Sequence, residues 1–178
     1  MRLNEILNGI DYEIIKGNIE LNIEDICYDS RKVTNNSLFV ALVGSTSDGH
    51  DYINMAIDSG ASAIVVEKDV EVVSDVTIIK VSNTRRLLSR LAINYYGNPS
   101  DELIMIGITG TKGKTTTASM IKNILEEDGK SVGLIGTLGV IFNDKYYGTV
   151  NTTPESLEIQ KYLREMVNDG IKYVVMEV

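Results

Sequence analysis

A single cysteine, Cys27, leaves no partner for an internal disulfide. A lone cysteine reads as a small core residue, and a reducing setting suits such a chain. Basic residues are outnumbered: 17 lysines and arginines stand against 25 aspartates and glutamates, a formal charge of −8. That balance makes a poor general binder of nucleic acid or of an anionic membrane. It still allows an anion to be held locally, where backbone N–H groups and one or two lysines outweigh the net field. No stretch approaches the roughly 20 apolar residues that cross a bilayer. The start, MRLNEILNGIDYEI, has acids and no long apolar run, so it is not expected to be a signal peptide. The expectation is a cytoplasmic protein without membrane insertion. No repeat or low-complexity segment is visible. The one histidine, His50, reads as a surface or packing residue rather than a chemical one.

What is present is ordinary globular material, 178 residues long with 43% hydrophobic and 24% charged positions. Residues 1–98 alternate between strand-like and helix-like runs. SLFVAL (from Ser37), SAIVVE (from Ser62) and VTIIKV (from Val76) read as strands. DYINMAIDSG (from Asp51) and TRRLLSRLAINYYGN (from Thr84) have helical spacing and a closing glycine. GNPSDE (from Gly97) is a turn or linker and marks the predicted boundary, with domains over 1–98 and 99–178. LIMIGIT (from Leu103) predicts a strand buried on both faces. TTTASMIKNILEEDG (from Thr115) predicts a helix with Met120, Ile121, Ile124 and Leu125 inward. SVGLIGT (from Ser131) and KYVVMEV (from Lys172) predict two more strands. Between them lies a helix with Pro154 in its first turn and Leu157, Tyr162, Leu163 and Val167 on its apolar side. Three parallel strands with two crossover helices are few for an open parallel sheet, so a partial, truncated chain is expected.

A glycine-rich bend between a buried strand and a helix gives a phosphate loop its meaning. Here it is ITGTKGKTTT, from Ile108. Backbone N–H groups of such a bend point inward, and the helix N-terminus adds its dipole. Gly110 and Gly113 lack the Cβ that would block a phosphate. Lys114 can reach terminal phosphates and is the catalytic candidate; Thr115 offers a hydroxyl to Mg²⁺. The G-x-x-x-x-G-K-[ST] pattern is incomplete, because Ile108 stands at its first glycine. The form present is G-T-x-G-K-T-T, Gly110 to Thr116, with Thr111 inside it. Lys112 is either a phosphate ligand or a solvated charge. Thr116 and Thr117 are phosphate contacts or plain first-turn residues. Glu177, ending a buried strand, is placed either as a Mg²⁺ ligand at the ligand-binding edge of the sheet or as a solvent-facing carboxylate.

Three passages together resemble the Mur ligases, ATP-dependent amino-acid ligases of peptidoglycan precursor synthesis. They are DSRKVTNNSLFVALVGSTSDGHDYINMAIDSGASAIVVE from Asp29, GITGTKGKTTTASMI from Gly107, and NTTPES from Asn151 followed by VVMEV. The resemblance covers nearly the whole chain. It implies an α/β protein with a small UDP-binding domain and then the start of a parallel-sheet ATP-loop domain. A third, amino-acid-binding domain would be absent. It also implies the third-residue-adding branch: UDP-MurNAc-L-Ala-D-Glu, a diamino acid (L-lysine or meso-diaminopimelate) and ATP give the tripeptide, ADP and phosphate through an acyl phosphate. ATP and Mg²⁺ are the implied cofactors.

Position by position, Ser30 resembles a UDP contact, or else is a turn or cap residue. Arg31 can instead serve a structural ion pair. Ser45 and Thr46 match the uracil-side loop. Asn151, Thr152 and Thr153 match a strip that grips the diphosphate and muramoyl peptide, or else cap a helix. Glu177 matches the Mg²⁺ ligand. The fragment alone is not expected to ligate. Two other ligases with this ATP loop are the rivals within the family: the type that adds D-Ala-D-Ala to the UDP-MurNAc-tripeptide, and folylpolyglutamate synthetase. A non-catalytic UDP-sugar-binding module is the rival outside it.

Overall fold

Alternating apolar runs and helical stretches build two α/β units, Met1–Tyr95 and Tyr96–Val178, and the computed structural model describes residues 1–44, 47–148 and 153–178. The first contains α1 (Leu3–Ile6), β1 (Glu13–Lys16), β2 (Asp25–Cys27), β3 (Ser37–Val40), α2 (Ile53–Asp58), β4 (Ala61–Val66) and β5 (Thr77–Lys80), with α3 (Thr84–Tyr96) closing it. Its sheet runs in the order β1-β5-β4-β3-β2. The strands β2 to β5 are mutually parallel, and β1 is antiparallel to β5. All four residues of β3 are buried, as a central parallel strand covered on both faces should be. One face packs Phe39, Ile64, Val66 and Ile78 against Ile53 and Ala56 of α2. Leu87, Leu88, Leu91 and Ala92 of α3 are buried at helical spacing, and Asn94 donates to the Ile6 carbonyl near α1.

The second unit contains β6 (Ile104–Ile108), α4 (Lys114–Glu127), β7 (Val132–Gly136), β8 (Gly139–Phe142), β9 (Lys145–Tyr147), α5 (Ser156–Asn168) and β10 (Tyr173–Glu177). The order is β6-β10-β7-β8-β9, with β10 parallel to both neighbours. Successive β10 residues serve opposite faces. Val174 joins Leu163 and Met166 of α5 in one core, while Val175 joins Ala118 of α4 in the other.

Four expectations for this unit are corrected. An antiparallel hairpin, β8–β9, adds two strands that the sequence reading lacked. Its loop is Asn143-Asp144, and Asn143 takes the left-handed φ of 48° that a tight hairpin requires. The Tyr147 ring seats it on α5, 5.1 Å from the Tyr162 ring, and its hydroxyl donates to Glu165. Next, β6 is not buried on both faces: it is an edge strand among the described residues, and Ile104 is 53% exposed. Third, α4 faces inward through Ala118, Ile121 and Leu125, whereas Met120 and Ile124 are 60% and 68% exposed. Two overlapping apolar stripes lie on that helix, and contact with the sheet selects the one led by the small Ala118. Last, α5 begins at Ser156, so Pro154 precedes the helix instead of occupying its first turn.

Cys27 is a buried core residue whose thiol lies 3.5 Å from Asp25 Oδ2 and from the Lys32 carbonyl. Burial first, then the Asp25 charge, pushes the thiol up to about 12. The thiolate is therefore almost absent from the folded chain at pH 8. Alkylation by iodoacetamide at that pH is expected to be about a hundredfold or more slower than in urea-unfolded chain. Equal rates would contradict the burial.

Candidate functional site

The bend after β6 gives the second unit its polar centre. Gly110 has φ 153° and Gly113 φ 79°, and Gly113 is the N-cap of α4. A Cβ at Gly113 would meet nothing within 4 Å, so backbone conformation, not crowding, demands glycine there. The Lys114 ammonium folds back and donates to the Gly110 carbonyl at 2.7 Å, closing the loop on itself. Residues 111–116, Thr137 and Glu177 line one cavity of about 310 Å³. Of the loop residues singled out from the sequence, Thr111 to Thr116 line it, whereas Gly110, whose carbonyl accepts from Lys114, and Thr117 do not.

Glu177 is fully buried, which excludes the solvent-facing alternative. Its Oε2 accepts from the Thr115 hydroxyl at 2.9 Å and the Thr137 hydroxyl at 3.2 Å, and Oε1 accepts from the Thr137 N–H at 3.0 Å. The Thr153 hydroxyl donates to the Glu177 carbonyl at 3.2 Å. A buried carboxylate needs such partners, since desolvation without them costs several kcal/mol. Gly136 supplies the room. A Cβ there would sit 2.2 Å from Glu177 Oε1.

Sequence reasoning missed Gly136 and Thr137. The available signal was their place, a small residue and a hydroxyl at the end of β7, whose parallel neighbour is β10. The Thr115 hydroxyl and the Glu177 carboxylate form a pair of hard oxygen donors beside the loop lysine. That pair fits Mg²⁺, which takes one or two carboxylates and completes its shell with water and phosphate oxygens. Among the described residues no cluster of three or more His, Cys, Asp or Glu could hold a metal, so a dedicated all-protein cage is not what the fold provides there.

In the first unit Ser30 starts a 3-10 turn beyond β2 and is buried, its hydroxyl 3.2 Å from Met55 Sδ. Asp29 caps that turn by accepting from the Arg31 N–H. Arg31 returns a bidentate pair to Asp29 at 2.9 and 2.8 Å, the structural use anticipated for it. This Arg31 contact, chiefly, holds the Asp29 carboxyl below its ordinary range. Ser45, Thr46, Asn151 and Thr152 lie outside the described residues. His50 is buried.

A family model described as Mur ligase family, catalytic domain, matches residues 22–96, and one described as Mur ligase middle domain matches 108–178. The whole chain is 50% identical to a UDP-N-acetylmuramoyl-L-alanyl-D-glutamate–2,6-diaminopimelate ligase of Clostridium tetani, and covers 37% of it. It is 42% identical, with the same two coverages, to the protein of that name in Clostridioides difficile. The chain thus spans little more than a third of the length of these curated relatives. Among solved structures, one titled as a UDP-N-acetylmuramoyl-L-alanyl-D-glutamate–2,6-diaminopimelate ligase superposes over the full chain and 36% of its own length, with TM-score 0.79 at 22% identity. A MurF ligase of Thermotoga maritima, solved in complex with ADP, matches 86% of this chain and 31% of its own, with TM-score 0.60 at 31% identity.

The Gly136 and Gly133 positions separate crowding from strand propensity. A Cβ at Gly133 meets only the movable end of Met166, at 2.7 Å from Sδ. Gly136→Ala is expected to cost about 1–3 kcal/mol more than Gly133→Ala in urea unfolding, because the bound carboxylate cannot step aside. Equal costs would show that Glu177 is not fixed.

Proposed function

The chain belongs to the Mur ligase family, and on that premise we propose that it is the UDP-sugar and ATP-loop portion of a cytoplasmic ligase. That ligase would join 2,6-diaminopimelate to UDP-MurNAc-L-Ala-D-Glu in peptidoglycan precursor synthesis. The relatives at 42–50% identity bear this name, which favours diaminopimelate over lysine and over the D-Ala-D-Ala ligase reading. The observation that carries the proposal is the buried Glu177 carboxylate on the Thr115 hydroxyl, beside Lys114 and the glycine bend.

A carboxylate is a poor acylating agent. Transfer of the terminal phosphoryl group of ATP to the D-Glu side-chain carboxylate releases ADP and forms an acyl phosphate. The amine of the diamino acid attacks the carbonyl carbon, the C–O bond to phosphate breaks, and the amide forms. In this scheme Lys114 turns from the Gly110 carbonyl to the terminal phosphates and offsets charge in the transition state. Loop N–H groups from 110 to 116 and the first turn of α4 orient the phosphate chain. Thr115 and Glu177 would hold Mg²⁺, and Thr137 keeps the carboxylate aimed. Mg²⁺, when bound, neutralises charge on the transferring phosphoryl group. Ser30, with Ser45 and Thr46, would bind the UDP moiety, and Asn151, Thr152 and Thr153 the diphosphate and muramoyl peptide.

Calorimetric titration tests both halves. UDP-MurNAc-L-Ala-D-Glu is expected to bind more tightly than UDP alone. Lys114→Ala is expected to weaken Mg-ATP by about 10- to 100-fold, the loss of one charge-assisted contact, and to leave the UDP ligand unchanged. Failure of the muramoyl nucleotide to bind, or Mg-ATP binding indifferent to Lys114, would overturn the proposal.

A further inference from the structure

In the first unit the parallel strands end along one edge, Val40 of β3 near Val65 of β4 and Val66 near Lys80 of β5. Open α/β sheets bind their ligands at that edge. Beyond β3, residues 41–44 and 47–50 run as tightly matched arms. Val43 bridges Asp48, the Gly44 N–H donates to the Ser47 carbonyl at 2.9 Å, and the Gly49 N–H donates to the Leu42 carbonyl at 2.8 Å. A Cβ on Gly49 would lie 2.7 Å from the Leu42 nitrogen, so the arms touch backbone to backbone.

The base of this loop is fixed by His50. Its Nδ1 lies 2.5 Å from Asp48 Oδ1, and its Nε2 lies 3.0 Å from the Glu67 backbone nitrogen. The Glu67 N–H can only donate, so Nε2 carries the lone pair and Nδ1 the proton, a single neutral tautomer. Asp48 also accepts from the His50 N–H at 3.0 Å and from the Lys68 ammonium at 2.7 Å. Lys68 first, then the His50 contacts, hold the Asp48 carboxyl far below its ordinary range. The run continues through Glu67, whose carboxylate accepts from the Thr84 N–H at 2.7 Å and the Thr84 hydroxyl at 2.8 Å. That hydroxyl is also 3.1 Å from the Ala41 carbonyl, at the root of the loop. One continuous set of hydrogen bonds therefore ties the returning arm, the end of β4 and the start of α3.

A side chain that only filled space would need no polar atoms here. Both His50 nitrogens are used, and they point in opposite directions, one to the loop arm and one to the strand end. We propose that His50 is a positioning residue for nucleotide-sugar binding: through Asp48 and Glu67 it holds the arms 41–44 and 47–50 in the spacing that receives the UDP moiety. This rests on the UDP-sugar reading of the first unit. His50 touches no ligand in this scheme.

The test measures binding of UDP-MurNAc-L-Ala-D-Glu by calorimetry and unfolding by circular dichroism, on the wild-type chain and three variants. His50→Ala removes both contacts and is expected to weaken binding about tenfold or more. His50→Gln places an amide oxygen where it can take the Glu67 N–H, and is expected to recover affinity to within about threefold of wild type. Lys68→Met removes only a surface contact to Asp48, leaves folding intact, and is expected to cost about two- to threefold. Affinity unchanged in His50→Ala, or no recovery in a folded His50→Gln, would overturn the proposal. Should His50→Ala fail to fold, wild-type affinity in Lys68→Met would overturn it alone. A wild-type chain that does not bind the muramoyl nucleotide would instead sink the UDP-sugar reading, and this inference with it.

Discussion

The second unit is organised around one buried carboxylate. Glu177 is buried, and its carboxylate accepts from the Thr115 hydroxyl and from both polar groups of Thr137. Those donors sit on different elements. Thr115 belongs to the first turn of α4, Thr137 follows β7, and Glu177 ends β10. Satisfying the carboxylate therefore fixes the helix start, the end of β7 and the end of β10 against one another. The parallel register, which sets Glu177 beside Ile108, puts the glycine bend at the same level. A longer side chain at Gly136 would break the arrangement from within.

The same constraint explains why the site suits phosphate chemistry. Hydroxyls and a carboxylate are hard donors. They lie beside a lysine and the N-terminus of a 14-residue helix, where partial positive charge collects. Negative and positive groups stand within one cavity without neutralising each other, because Lys114 is held on the Gly110 carbonyl and not on Glu177. The first unit solves a different problem with the same means. There a neutral imidazole, not a buried charge, ties a loop to the sheet edge.

Much of this was legible in the sequence because the chemistry needs particular residues at particular spacings. Gly110, Gly113, Lys114 and Thr115 announce themselves between an apolar run and a helix, and Glu177 stands out in VVMEV. The rest depends on contacts that periodicity does not encode. Met120 and Ile124 have the same helical spacing as the inward stripe, and only the packing of Ala118 on the sheet decides between them. The edge position of β6 follows from strand order, which no local pattern carries. Gly136 and Thr137 look like the ordinary end of a strand until Glu177 arrives beside them from 40 residues away. The β8–β9 hairpin was lost because its strands are four and three residues long and its turn is Asn-Asp instead of a glycine pair.

The most direct test of this account is the Mg²⁺ dependence of ADP binding, measured by calorimetry on the wild-type chain and on Glu177→Gln. The account predicts that Mg²⁺ tightens ADP binding in the wild type and that the tightening is lost in Glu177→Gln, while metal-free ADP binds both alike. An equal Mg²⁺ effect in the two proteins would mean that the buried carboxylate serves the fold alone.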